Sequence, residues 1–213
     1  RLIWEDVDLI GKILRDKFRE EVQSLWVDDL DTHRDILQFV SQIHPSWTSR
    51  IRLYTSPLPI FEAFEIESEI TRALQPKVLL KHGGSLVFNQ TEALVSIDVN
   101  TGAFSSHQDL ETTVTQANLL AIPEIVRQLR LRNHGGIIVI DFIDMMDLAN
   151  QQMVHGALVS EFERDRQCSR IGPLSIFGLV ELTRKRTGPS LERSMTLPCP
   201  SCQGSGRVPN LDM

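Results

Sequence analysis

Val95-Ser96-Ile97-Asp98-Val99-Asn100 and Ile137-Ile138-Val139-Ile140-Asp141-Phe142-Ile143-Asp144 each run an apolar strand into an aspartate. In the first stretch, alternation puts Ala93, Val95, Ile97 and Val99 on one face and Leu94, Ser96, Asp98 and Asn100 on the other. Asp98 and Asn100 therefore point the same way, about 7 Å apart along the strand. The second stretch is apolar on both faces, the pattern of a strand covered by helices, and Asp141 is the first polar group it reaches. A carboxylate at the edge of a core loses hydration that only a cation or hydrogen-bond donors can replace. Magnesium, held by one or two carboxylates together with waters and phosphate oxygens, would satisfy both acids. The other reading open at this point is that each is a cap or loop carboxylate facing solvent. That second reading is preferred for Asp144 and for Asp147, which precedes a helical pattern through Leu148, Val154, Ala157, Leu158 and Phe162.

Outward from these strands, the spacing predicts an α/β arrangement. Apolar positions Val7, Ile10, Ile13, Leu14 and Phe18 predict a helix starting after Asp6. A strand over Ser24 to Val27, a helix from Asp31 to Ile43 stopped by Pro45, and a strand over Ile51 to Tyr54 follow. Phe61 to Leu74 carries a third helical pattern, ended before Pro76. Strands are then expected at Lys77 to Leu80 and Ser85 to Phe88, separated by a Gly83-Gly84 turn. A long helix from Asp109 to Arg132 sets Leu110, Val114, Ala117, Ala121, Ile125 and Leu129 on one face, with Pro123 expected to kink or split it. Asn133-His134-Gly135-Gly136 stops it. A final strand is predicted over Leu174 to Thr183, which completes a strand and helix alternation with the acids at strand ends, where layered sheets bind ligands.

The chain has 213 residues, 41% of them hydrophobic, enough for one large domain or two compact ones. No apolar run reaches membrane-spanning length and no secretory signal is visible, and three cysteines are too few for a disulfide framework, so a cytoplasmic setting is expected. Arg1 in place of methionine, and an end soon after a cysteine-rich turn, read as a piece of a longer polypeptide. The net charge of −6 argues against a polyanion partner, but the average hides an asymmetry. Between Arg164 and Arg207 eight basic residues face three acids, a local surplus of +5 that leaves −11 on the remainder. Only the contiguous Arg184-Lys185-Arg186 rises above an ordinary solvated charged face.

Cys199-Pro200-Ser201-Cys202, followed by Gly204 and Gly206, sets two thiols on a turn able to fold around an ion. Two thiolates make half of a tetrahedral zinc site. Cys168, His107, His134 and His155 lack ligand spacing, whereas a symmetric dimer giving one pair from each chain supplies four sulfurs. A dithiol redox motif and two thiols in an unstructured tail stay open as alternatives, and the pattern is similar to one half-motif of the zinc region in DnaJ-type chaperones. Cys168 by itself reads as packing.

Taken in order, Thr91-Glu92-Ala93, Ile97 to Phe104, Arg127-Gln128-Leu129-Arg130-Leu131-Arg132, Ile140 to Met145, Thr183-Arg184-Lys185-Arg186 and Cys199-Pro200-Ser201-Cys202 resemble the ribonuclease E/G family across nearly the whole chain. The resemblance implies a partial RNase H-like subdomain over residues 1–77, a DNase I-like catalytic subdomain over 78–195 and a zinc-link turn within 196–213. It implies a magnesium-dependent endoribonuclease that cleaves single-stranded RNA to 5′-phosphate and 3′-hydroxyl ends in RNA processing and decay. Asp98 and Asp141 would bind the magnesium, Asn100 would hold Asp98 by a hydrogen bond, and Arg184, Lys185 and Arg186 would lie near the RNA. Cys199 and Cys202 would form the zinc link of a homodimer. The family's S1 domain and 5′-end sensor are expected to precede Arg1, and its small C-terminal domain to follow Met213. Many relatives carry an arginine where Ile176 sits and a basic residue where Cys168 sits, so one or two phosphate contacts are expected to be missing. The alternatives are a non-catalytic, zinc-linked RNA-binding module and a phosphodiesterase acting on DNA or another ester.

Overall fold

The computed structural model describes residues 9–81, 83–101, 110–163, 165–202, 204, 206 and 208. The Val7 start of the first helix, the Gly102 to Phe104 motif, His107, Asp109, Arg164, Gln203, Ser205 and Arg207 lie outside the described residues. The chain divides into two compact units, Arg1–Ser68 and Glu69–Met213.

The first unit contains α1 (Leu9–Lys17), β1 (Leu25–Val27), α2 (Leu30–Ile43), a 3-10 turn over Pro45–Arg50, β2 (Ile51–Leu53) and α3 (Ile60–Ala63). β1 and β2 pair in parallel with Leu25 opposite Ile51, and α2 is the crossover that a parallel pair requires. The Asp29 side chain caps α2 by accepting from Thr32 N at 2.8 Å, and Pro45 follows closely behind its last residue. Leu14, Phe18, Val27, Ile36, Val40 and Ile51 form the core of this unit. The single helix expected over Phe61 to Leu74 is two helices. α3 ends at Ala63, and α4 (Ile66–Leu74) begins only after Glu65, whose φ of 57° cannot continue an α-helix.

The second unit is a mixed sheet with helices on it. Its elements are β3 (Lys77–Leu79), β4 (Ser85–Gln90), β5 (Leu94–Asn100), α5 (Leu110–Leu131), β6 (Gly136–Asp141), α6 (Leu148–Phe162), β7 (Cys168–Leu174), β8 (Leu179–Arg184) and α7 (Leu191–Met195). The strand order is β3-β4-β5-β6-β8-β7, with β5 and β6 parallel and the other neighbours antiparallel. Gly83 and Gly84, at φ 90° and 85°, make the turn between β3 and β4. The expected single strand over Leu174 to Thr183 is instead a hairpin. Gly178, at φ 75°, turns β7 into β8, and Ser175 accepts Gly178 N through its carbonyl and Leu179 N through its hydroxyl.

Alternation along each strand sorts the sheet into two unlike faces. Leu86, Phe88, Val95, Ile97, Val99, Ile138, Ile140, Val180 and Leu182 turn inward against Val114, Ala121, Ile125 and Leu129 of α5 and Val154, Leu158 and Phe162 of α6. The expectation that β6 is covered on both faces is corrected here, because Ile137 is 51% exposed on the opposite face and Val139 is only partly buried. α5 runs unbroken through Pro123, which sits exposed on its outer side where a missing N–H costs least. Asp147 caps α6 as expected, accepting from Ala149 N at 2.8 Å. No helix among the described residues is long and apolar enough to cross a membrane.

Candidate active site

The open face of the sheet carries the acids. Asp98 of β5 and Asp141 of β6 are direct register partners across the parallel pair, with Val87 flanking Asp98 and Leu179 flanking Asp141 on the outer neighbours. Neighbouring strands lie about 4.8 Å apart, so two carboxylates on the same face at the same register meet each other. Asn100, two residues on along β5, donates its Nδ2 to Asp98 Oδ2 at 2.7 Å. This bond restrains the rotamer of Asp98 and, among the described residues, leaves its second oxygen free for another partner.

Asp98, Asn100 and Asp141 are all exposed, so the acids reach solvent beyond the core edge at which the sequence pattern places them. The electrostatic cost falls on Asp141. Partial burial, then the charges of Asp98 and Asp144, push its carboxyl above the usual carboxylate range. A cation between the two carboxylates would relieve that repulsion. Among the described residues no group of three or more His, Cys, Asp and Glu side chains is arranged to hold a metal. An ion here would take two protein carboxylates and complete its shell with water and substrate oxygens, which is the habit of magnesium. Two clefts are lined in part by residues near the acids in sequence: one of about 550 Å³ by Lys77, Gly83, Gly84, Asn100 and Thr101, and one of about 650 Å³ by Leu110, Val114, Asp144 and Met146.

The basic run divides. Arg184 is 4% exposed: its Nε donates to Asp165 Oδ2 at 2.7 Å and its Nη1 to the His134 carbonyl at 2.6 Å. The expectation that Arg184 faces RNA is therefore corrected, since its guanidinium is spent on tying β8 to the α6–β7 and α5–β6 connections. Lys185 and Arg186 are exposed. Arg186 lies across the glycine pair before β6, where a Cβ at Gly136 would meet its Nη2 at 2.7 Å. Gly136 pairs with Arg184 and Asp141 with Leu179, so the basic corner and the acids occupy opposite ends of β6, about 17 Å apart.

Cys199 is exposed and Cys202 partly so, and both are free thiols. Backbone N–H groups of Cys202 and then Ser201 donate toward the Cys199 sulfur and hold its thiol below the usual range, which favours the thiolate a metal requires. Gly204 and Gly206 beyond them have φ of 90° and 71°, conformations that glycine adopts without strain. Cys168 packs against the core, and burial pushes its thiol up, in keeping with a packing role.

Two polar residues of α5 carry contacts that the sequence pattern does not mark. Asn118 is fully buried and bonded to the backbone of Ile143, and Glu111 accepts from Met146 N, Asp147 N and Asn150 Nδ2. The available signal was an amide inside the apolar stripe of Val114, Ala121, Ile122 and Ile125.

A mixed sheet presents two register-paired aspartates, Asp98 and Asp141, side by side on one open face. Residues 1–187 match the model of the Ribonuclease E/G family, and the chain belongs to that family. It is 42% identical over 210 residues to Ribonuclease G of Escherichia coli (strain K12), an alignment covering 99% of this chain and 43% of that protein. It is 40% identical to the chloroplastic Ribonuclease E/G-like protein of Arabidopsis thaliana, over 94% of this chain and 20% of the relative. Ribonuclease E of Haemophilus influenzae (strain ATCC 51907 / DSM 11121 / KW20 / Rd) is 38% identical over 97% of this chain and 22% of its own length. The chain thus spans less than half the length of these curated relatives.

Proposed function

We propose that this chain carries the catalytic centre of an endoribonuclease that cuts single-stranded RNA by hydrolysis, leaving 5′-phosphate and 3′-hydroxyl ends, in RNA processing and decay in the cytoplasm. The observation that carries this reading is the register pairing of Asp98 with Asp141 on an exposed sheet face, in a chain of the ribonuclease E/G family. Asp98 and Asp141 would hold a magnesium ion, which when bound supplies positive charge to the scissile phosphate and acidifies water. Asn100 keeps Asp98 in one rotamer through its 2.7 Å bond, so that the free carboxylate oxygen keeps a fixed direction. The clefts lined by Asn100 and by Asp144 offer room for the strand, and an unpaired strand can splay over such an open surface. Lys185 and Arg186 would contact phosphates farther along the same strand.

In this reading residues 1–77 form a partial RNase H-like subdomain and 78–195 a DNase I-like one. Cys199 and Cys202 would supply half of a zinc site that a second copy completes, which the lowered Cys199 thiol supports. A non-catalytic assembly module is not favoured, because it gives the paired acids nothing to do.

The test is cleavage of a 5′-labelled single-stranded RNA, with its duplex and the matched DNA as controls. Magnesium-dependent cuts in the unpaired RNA, lost in Asp98→Asn and Asp141→Asn variants that remain folded, are expected. Full activity of either variant, or equal cleavage of the DNA, would overturn the reading.

A further inference from the structure

Asp141 ends β6, and the segment 142–147 that follows leads to α6. α5 grips this segment at two points. Asn118, fully buried in the middle of α5, makes a two-bond bridge to a single backbone residue: its Nδ2 donates to Ile143 O at 2.9 Å and its Oδ1 accepts from Ile143 N at 3.1 Å. Seven residues earlier on the same helix face, Glu111 accepts from Met146 N, Asp147 N and Asn150 Nδ2, each at 3.0 Å. The hairpin grips the segment from its other side, since Phe142 N donates to Gly178 O at 3.3 Å.

A primary amide is costly to bury unless both of its ends are paired, and an apolar residue would fill the same space at less cost. What Asn118 adds is a neighbour for the Ile143 N–H and C=O just where β6 runs out of ladder partners. It does for Ile143 what an adjoining strand would do, and it acts two residues beyond Asp141.

We propose that Asn118 is a positioning residue for the acid pair: its bridge fixes the backbone that leaves β6, and thereby the direction of the Asp141 carboxylate toward Asp98. This rests on the reading of Asp98 and Asp141 as a cation site. Groups hydrogen-bonded directly to metal ligands typically change metal affinity or activity by about 10- to 100-fold, and Asn118, one step removed through the backbone, is expected at the lower end of that range. Glu111 holds the far end of the segment, so its loss should disturb the acids less.

The experiment measures Mn2+ affinity of the full-length protein by loss of the free-ion EPR signal, together with kcat and KM on single-stranded RNA. Asn118→Leu keeps the volume and deletes both bonds. Asn118→Ser, small enough to be accommodated and able to keep at most one bond, carries the test if the leucine variant does not fold. Expected are about tenfold weaker Mn2+ binding and about tenfold lower kcat with KM for RNA unchanged, while Glu111→Gln changes Mn2+ affinity less than about threefold. A folded Asn118 variant with unaltered Mn2+ affinity and kcat would overturn the proposal, as would a Glu111→Gln variant equally impaired, which would indicate general loosening of the segment. Failure of the unaltered chain to bind Mn2+, or unchanged binding in Asp98→Asn, would instead strike the underlying metal reading.

Discussion

Asp98 and Asp141 stand opposite each other in register across the parallel β5–β6 pair of the six-stranded sheet, and Asn100 binds the first of them at 2.7 Å. Strand adjacency, rather than any loop, brings these two carboxylates together. The centre is therefore as rigid as the sheet beneath it, whose inward residues Ile97, Ile138 and Ile140 are fully buried.

Replacing either aspartate separates chemistry from folding. Both side chains are exposed, and removing one of two facing charges relieves the repulsion that adds to partial burial in raising Asp141. Asp98→Asn and Asp141→Asn are expected to melt at or slightly above the temperature of the unaltered chain. Their RNA cleavage should fall by at least about a hundredfold, since lost metal charge stabilisation is worth several kcal/mol and roughly each 1.4 kcal/mol is tenfold. Thermal melts beside single-turnover cleavage check both halves.

Among the described residues Asn100 reaches the acid pair through its bond to Asp98. Asn100→Ala should reduce kcat by about tenfold while leaving KM for RNA and the melting temperature unchanged, a smaller loss than deleting the acid itself. Steady-state kinetics over a range of magnesium concentrations provide the measurement, and an Asn100→Ala enzyme as slow as Asp98→Asn would show that Asn100 does more than orient.

The basic run predicts two unlike phenotypes. Breaking the buried Arg184–Asp165 pair by Asp165→Ala leaves a guanidinium stranded at 4% exposure, and the expected cost is about 3–5 kcal/mol of stability by urea denaturation. The double change Lys185→Gln and Arg186→Gln should leave stability within about 0.5 kcal/mol. It should weaken RNA binding and lower the slope of log affinity against log salt by about 0.7 for each contact removed.

Local information in the chain carried much of this fold, and long-range pairing carried the rest. Alternation alone places Asp98 and Asn100 on one face, and the apolar repeat after Asp147 identifies that residue as a cap, because each relationship spans only a few residues. The meeting of Asp98 with Asp141 depends on which strands become neighbours, a choice made across 43 positions that no local pattern encodes. Arg184 looks like a surface cation in sequence because its partner Asp165 lies 19 residues away. The helix break at Glu65 and the turn at Gly178 are hidden in the sequence for the opposite reason: each hangs on one residue with positive φ inside an otherwise continuous apolar pattern.

The cysteine turn gives a prediction on assembly. If Cys199 and Cys202 hold half of a shared site, elemental analysis should find one zinc for every two full-length chains, with thiolate-to-metal charge-transfer bands on cobalt substitution. Cys199→Ser should lose the zinc and the dimer together in sedimentation, while single-stranded RNA remains a substrate. A zinc-free dimer would assign the association to another surface.

His134 gives the fold a pH dependence of its own. The ring is 4% exposed, stacks on Phe88 at 6.4 Å between centroids, and leaves Nδ1 without a hydrogen-bond partner among the described residues. Burial, reinforced by Arg132 and Arg184, lowers its pKa from 6.5 to about 4, so the folded protein holds the ring neutral where the unfolded chain would protonate it. Between those values the unfolded state binds more protons, so the stabilisation is complete above about pH 6.5 and is lost as pH falls toward 4. The loss over that window is at most about 3 kcal/mol. Urea midpoints at pH 7 and pH 5 should differ in the unaltered protein, and His134→Phe, which keeps a ring against Phe88 but cannot titrate, should flatten the difference. An equal pH dependence in the variant would move the effect to the exposed carboxylates.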